Sequence, residues 1–206
     1  MGSRLCLLLA TACLLYPILF MSACGDGRES ESPVSLDFIG RVLAGQTKME
    51  TLLSRIAMAA PARSFMGQLQ DQEKLGRIEI PRIGIREWIV QGTSEGSLKQ
   101  GAGHIEQTPL PGLGGNFTIA GDRVLYTSPF LRLDALEPGD EIYVEMPYGK
   151  FVYKVEKRFV SSKTDVSVLN PQGYDSLTLS TCEPPWGVES RITVSARMTE
   201  STAGVT

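Results

Sequence analysis

Ser176-Leu177-Thr178-Leu179-Ser180-Thr181-Cys182, stopped by Glu183-Pro184-Pro185 and followed nine residues past the cysteine by Arg191-Ile192-Thr193-Val194, decides how this chain is read. Both runs alternate and are rich in β-formers, so each predicts a strand. Proline cannot donate to a ladder, so Pro184 and Pro185 end the first strand just after Cys182. A side chain at a strand end is displayed rather than buried. If the two strands pair as a hairpin, Arg191 lies beside Cys182.

The same texture extends upstream. Ile78, Ile80 and Ile83 alternate around Glu79 and Pro81, Glu141-Ile142-Tyr143-Val144-Glu145 alternates, and Phe151-Val152-Tyr153-Lys154-Val155 is built of strand formers. Tyr148-Gly149 sits between the last two runs as a hairpin turn. Trp88 reads as a core residue. Many short strands with few long helices predict a mostly β fold, a barrel or a sandwich, and closure would remove exposed edges. Residues 201–206 read as a frayed tail.

Before residue 75 the pattern differs. Leu36, Ile39, Val42, Leu43, Met49, Leu52, Leu53 and Ile56 fall at spacings of three and four, which predicts a helix from Val34 to about Met58, ended by Pro61. Its simplest role is to pack against the domain. Gly25 to Pro33 is too polar to bury and reads as a flexible tether. At the N-terminus Arg4 precedes an apolar run from Leu5 to Ala23, the layout of a secretory signal. Met21-Ser22-Ala23-Cys24 resembles a lipobox, with Met21 where Leu is commoner, which would make Cys24 an acylated first residue. An uncleaved helical anchor or simple secretion are the alternatives, since a span needs about 20 apolar residues. Each of the three puts the domain outside the cytoplasm.

Composition narrows the function. With 206 residues, 42% hydrophobic and 21% charged, the chain holds enough material for one core. Its net charge of −3, with Lys and Arg scattered, lacks the basic stripe that nucleic-acid binding requires. No Cys/His cluster or carboxylate pair has metal-ligand spacing, so neither a metal nor another cofactor is expected. Gly112, Gly114 and Gly115 lie outside any phosphate-binding frame. Cys6, Cys13 and Cys24 all belong to the N-terminal segment, which leaves Cys182 alone in the globular region, either reactive or paired between chains.

A nucleophilic cysteine acts as its thiolate and needs an electropositive, partly exposed setting. Arg191 beside Cys182 would favour the thiolate and donate hydrogen bonds to a developing oxyanion. On those two residues alone, a half-buried structural cysteine is the favoured reading.

Thr178-Leu179-Ser180-Thr181-Cys182 with Arg191 is similar to the Thr-Leu-x-Thr-Cys motif and catalytic Arg of the sortase family. The resemblance continues through Gly76 to Gly84, Gly101-Ala102-Gly103-His104, Leu110-Pro111-Gly112, Asn116-Phe117-Thr118-Ile119-Ala120-Gly121, Pro129-Phe130 and Leu136-Glu137-Pro138-Gly139-Asp140. It covers about residues 75 to 199 and is nearest the class D and E members. It implies a closed eight-stranded β-barrel with short helices, and a cysteine transpeptidase that cleaves an LPXTG-like sorting signal and passes the acyl group to an amine or to water. Thr181 is a candidate substrate-binding residue, and Trp186, four residues past Cys182, is another, though packing that anchors its loop is the favoured reading of that side chain.

One position departs from the pattern. Where the family carries a catalytic His before Arg, the chain reads Gly121-Asp122-Arg123, and its single His, His104, matches another family position. An ordinary Asp, with a pKa of about 3.9, is ionised at neutral pH and a poor acid. As an anion it would also oppose a nearby thiolate unless Arg123 or Arg191 neutralised it. Three readings stay open: Asp122 has a raised pKa and does the acid–base work, His104 substitutes, or chemistry is lost and the barrel is a lipoprotein that binds sorting-signal peptides.

The expected organisation is a signal or anchor over 1–23, a tether and helical stalk over 24–74, the barrel domain over 75–199 and a tail over 200–206. Expected partners are a protein or peptide bearing a C-terminal sorting signal and an amine acceptor on the cell envelope or a pilin-like protein. The expected location is the extracytoplasmic face of the cell membrane.

Overall fold

Ile78 and Ile80 in the first strand, and Ile85 and Ile89 in the second, hold the core-facing parity of the two strands that open the barrel. β1 (Lys74–Ile80) and β2 (Ile85–Gln91) pair antiparallel, and Ile78, Ile80 and Ile89 are wholly buried. Gly84, at φ 69°, closes the turn between them in a left-handed conformation that glycine takes without strain. The computed structural model describes residues 36–185 and 189–204. The remaining strands are β3 (Ala102–His104), β4 (Asn116–Ala120), β5 (Glu141–Met146), β6 (Gly149–Ser162), β7 (Ser176–Glu183) and β8 (Ser190–Ala203). They close a barrel in the order β1-β2-β3-β4-β7-β8-β6-β5, with β2–β3 and β4–β7 parallel. The fold is the mostly β, eight-stranded closed barrel expected from the motifs.

The pleat decides which side chains face inward. Phe117 and Ile119 on β4, Leu177 and Leu179 on β7, and Ile192, Val194 and Ala196 on β8 all lie in the core. Burying each large apolar side chain contributes about 1.5–3 kcal/mol, which pins the register because a one-residue slip would turn them all to solvent. The alternate residues Thr178, Ser180 and Cys182 on β7, and Arg191, Thr193 and Ser195 on β8, therefore share the outer face. β5 and β6 meet as a hairpin turning at Pro147 and Tyr148, with Met146 opposite Gly149.

The chain divides into two compact units, Met1–Val42 and Leu43–Thr206, and the barrel belongs to the second. Helix α1 (Leu36–Met66) runs through Pro61 instead of ending there. Packing outweighs the lost N–H, because Met58 and Ala62 are fully buried in the barrel core and Phe65 packs on Tyr148 at a centroid distance of 5.8 Å. The apolar residues Met49, Leu52, Leu53 and Ile56, expected to form the packing face, are exposed. Trp88 is not core either. It lies one residue out of phase with buried Ile89, on the outer face of β2, with the Arg77 guanidinium 4.0 Å from its ring centroid. β8 continues beyond residue 199 to Ala203, where it pairs with Gly149. The signal or anchor segment, Cys24, the tether and Trp186 lie outside the described residues. Among the described residues no helix is long and apolar enough to cross a membrane.

Candidate active site

β7 and β8 pair antiparallel with Cys182 directly opposite Arg191. Both side chains sit on the outer face and both are half-buried. Arg191 Nη1 lies 3.3 Å from Cys182 Sγ and also donates to the Ser190 carbonyl. The guanidinium N–H groups not used in these contacts can serve an oxyanion formed above the sulfur. The hairpin pairing expected from the sequence brings these two residues together.

Asp122 reaches the same place by a parallel route. Ala120 on β4 pairs with Ser180, the Gly121 N–H donates to the Ser180 carbonyl at 3.0 Å, and the Thr181 hydroxyl donates to the Gly121 carbonyl at 2.8 Å. Two residues beyond a matched pair, Asp122 and Cys182 stand level on adjacent strand ends. Gly121 is required here, because a Cβ would lie 2.5 Å from the buried Phe130 ring that seats the loop after Asp122. Asp122 Oδ2 is buried without a hydrogen-bond partner. Burial raises the Asp122 pKa above its ordinary value.

Arg123 does not neutralise Asp122. Its guanidinium is 6% exposed and is committed elsewhere: Nη1 pairs with the Glu183 carboxylate and donates to the Cys182 carbonyl at 3.2 Å, and Nη2 pairs with Asp134 at 3.2 Å. Sequence reasoning missed Glu183 and Asp134, and the only signal was an Arg beside the acid–base position.

His104 is not brought to Cys182. On β3 it pairs with Ile119, a core residue, so the pleat directs it to the barrel interior rather than the outer face. Nδ1 meets the Gln91 side-chain amide at 2.8 Å, Nε2 meets the Thr108 carbonyl at 3.0 Å, and the ring packs on Phe117 at 5.1 Å. Burial lowers its pKa to about 4, so it is neutral at physiological pH. It is a hydrogen-bonded structural residue. Thr181, expected to touch substrate, is likewise on the interior parity and buried, and its hydroxyl fixes the Asp122 loop instead.

The outer face leads from Cys182 along Ser180 and Thr178 under the segment between β6 and β7. Asn116 ties that segment down: its Nδ2 donates to the Val168 carbonyl at 2.8 Å, and its Oδ1 accepts from Thr178 at 2.9 Å and Ser176 at 3.2 Å. A cavity of about 310 Å³ opens there, lined by Lys157, Phe159, Asp165, Thr178, Thr193 and Ser195 among others. Among the described residues no group of His, Cys, Asp and Glu could hold a metal ion.

The structure is a closed barrel that presents a cysteine beside an arginine on adjacent strand ends, and comparison with known proteins places that arrangement in a family. The sortase domain family model matches residues 78–199. Over 110 residues, 53% of this chain and 54% of the relative, it is 34% identical to sortase D of Bacillus subtilis. Over 150 residues, 65% of this chain and 43% of the relative, it is 33% identical to sortase SrtE1 of Streptomyces coelicolor. The chain thus spans about half the length of these curated relatives. A solved sortase D5 transpeptidase from Clostridium perfringens superposes with a TM-score of 0.61 at 27% identity, covering 74% of this chain and 95% of that one. This chain belongs to the sortase family, whose members are cysteine transpeptidases.

Proposed function

We propose that this chain is a sortase-type cysteine transpeptidase, held at the extracytoplasmic face of a membrane, in which Asp122 takes the acid–base role usually held by histidine. The observation that carries the proposal is the 3.3 Å approach of Arg191 Nη1 to Cys182 Sγ. Cys182 thiolate attacks the carbonyl carbon of the scissile bond in an LPXTG-like sorting signal, and Arg191 holds the resulting oxyanion. The tetrahedral intermediate collapses, the C–N bond breaks, and the leaving amine takes its proton from the Asp122 carboxyl. An incoming amine, or water, then attacks the thioester, loses a proton to the Asp122 carboxylate and releases Cys182. Burial supports this role for Asp122, because an acid works best when its pKa is brought toward the operating pH.

The test is chromatographic. The full chain, incubated with a Leu-Pro-X-Thr-Gly peptide and an amine acceptor, should release the C-terminal fragment. Cys182→Ala should release none, and Asp122→Asn should lower turnover by about 10²–10⁴-fold, the usual contribution of a general acid–base. Asp122→His should change turnover downward if the carboxyl belongs to a working mechanism. A large gain instead would point to a degenerate site that captures peptides.

A further inference from the structure

Arg123 is the most deeply buried charged side chain near Cys182, and the chemistry proposed above gives it no step. At 6% exposure its guanidinium bridges three parts of the chain: the loop after β4, the end of β7 and the 3-10 turn Leu133–Ala135. On β7 it grips the carbonyl of Cys182 itself and the carboxylate of the following residue, Glu183. It also fixes the residue adjacent to Asp122, so one planar group ties together the two strand ends that carry the thiol and the acid.

Its charge matters as much as its shape. Around Cys182 stand Arg191 from β8, Asp122 and Arg123 from the loop after β4, Glu183 from β7 and Asp134 from the 3-10 turn, while Lys163 and Glu189 pair with each other at 2.8 Å. Without Arg123, Glu183 and Asp134 would add unbalanced negative charge next to a developing thiolate and next to Asp122. Such charge opposes ionisation of the thiol.

We propose that Arg123 is a positioning residue for the nucleophile: it clamps the Cys182 carbonyl and balances the Glu183 carboxylate, so that Arg191 acts on the thiol unopposed. This rests on Cys182 being the reactive group, but not on turnover of any peptide.

Alkylation of Cys182 by iodoacetamide reads the thiol directly. Rates are measured against pH in the folded full chain, with the modified residue located by peptide mass spectrometry. Arg123→Gln should slow alkylation at pH 7 by up to about tenfold and move its pH midpoint upward. Arg123→Lys should recover part of the loss. Glu183→Gln should move the midpoint downward, and the double variant Arg123→Gln/Glu183→Gln should return to within about twofold of the parent. Midpoints unchanged in Arg123→Gln and Glu183→Gln would overturn the proposal and leave Arg123 a structural residue. If Arg123→Gln does not fold, Glu183→Gln decides alone, because it removes the charge while keeping the shape.

Discussion

Asp122 and His104 illustrate how burial pulls two titratable groups in opposite directions. Burial raises the Asp122 pKa, so the folded chain binds this proton more tightly than the unfolded chain does. Its contribution to stability is complete below the unfolded value of 3.8 and is lost as pH rises through the folded value. Asp122→Asn should therefore stabilise the protein at neutral pH, and the gain should vanish in acid when urea melts are compared across pH. His104 runs the other way. Its pKa falls from 6.5 to about 4, so its contribution is complete above 6.5 and is lost as pH drops toward 4. Over that window the loss amounts to about 3 kcal/mol at 1.36 kcal/mol per pKa unit. Relative to His104→Gln, the parent should lose stability by roughly that amount between pH 7 and pH 4. A difference that stays flat with pH would show that the ring is not held neutral. Strand end and hairpin pairing make Cys182 and Arg191 legible as neighbours from local pattern, whereas Asp122 is legible only through the family motif whose His position it fills. Thr181, singled out by the motif, lies buried on the interior parity, because membership of a motif does not say which face of the strand a residue occupies. The Arg123–Glu183 pair was illegible, since it joins residues 60 apart through a fold that had yet to form.

At the scale of elements, α1 shows where periodicity misleads. The spacing of Met49, Leu52, Leu53 and Ile56 correctly signals a helix, yet these residues are exposed while Met58 and Ala62, nearer the barrel, carry the packing. Helical pattern reports a face without reporting its partner. Met58→Ala should cost about 2–5 kcal/mol in urea unfolding, because the side chain fills space beside Phe151 and Gly149. Ile56→Ala, by contrast, should change stability by no more than about 0.5 kcal/mol. Equal effects at the two positions would contradict the packing described for α1. The strands are more legible than the helix because inward residues such as Leu177, Leu179 and Val194 alternate strictly with polar ones, a pattern that gives the strands but leaves barrel and sandwich both open until the motifs are weighed. β8 was read too short because Glu200, Ser201 and Thr202 are polar, and backbone pairing with β6 holds them in the strand without burial.

For the whole molecule, a closed barrel leaves no edge strand to recruit other chains and places its two long strands, β6 and β8, behind the reactive end of β7. The Cys182 thiol and the Arg191 guanidinium are set by strand register, and Asp122 stands in the loop just past the end of β4, tied to β7 through Gly121. The central claim is that the Cys182 sulfur accepts an acyl group from a sorting-signal peptide. Intact-mass spectrometry of the full chain, after incubation with such a peptide in the absence of an amine, tests it most directly. A mass increase equal to the acyl fragment is expected, located on Cys182, removed by hydroxylamine and absent from Cys182→Ala. Cleaved peptide with no adduct on Cys182, or unchanged peptide with an unmodified thiol, would contradict it.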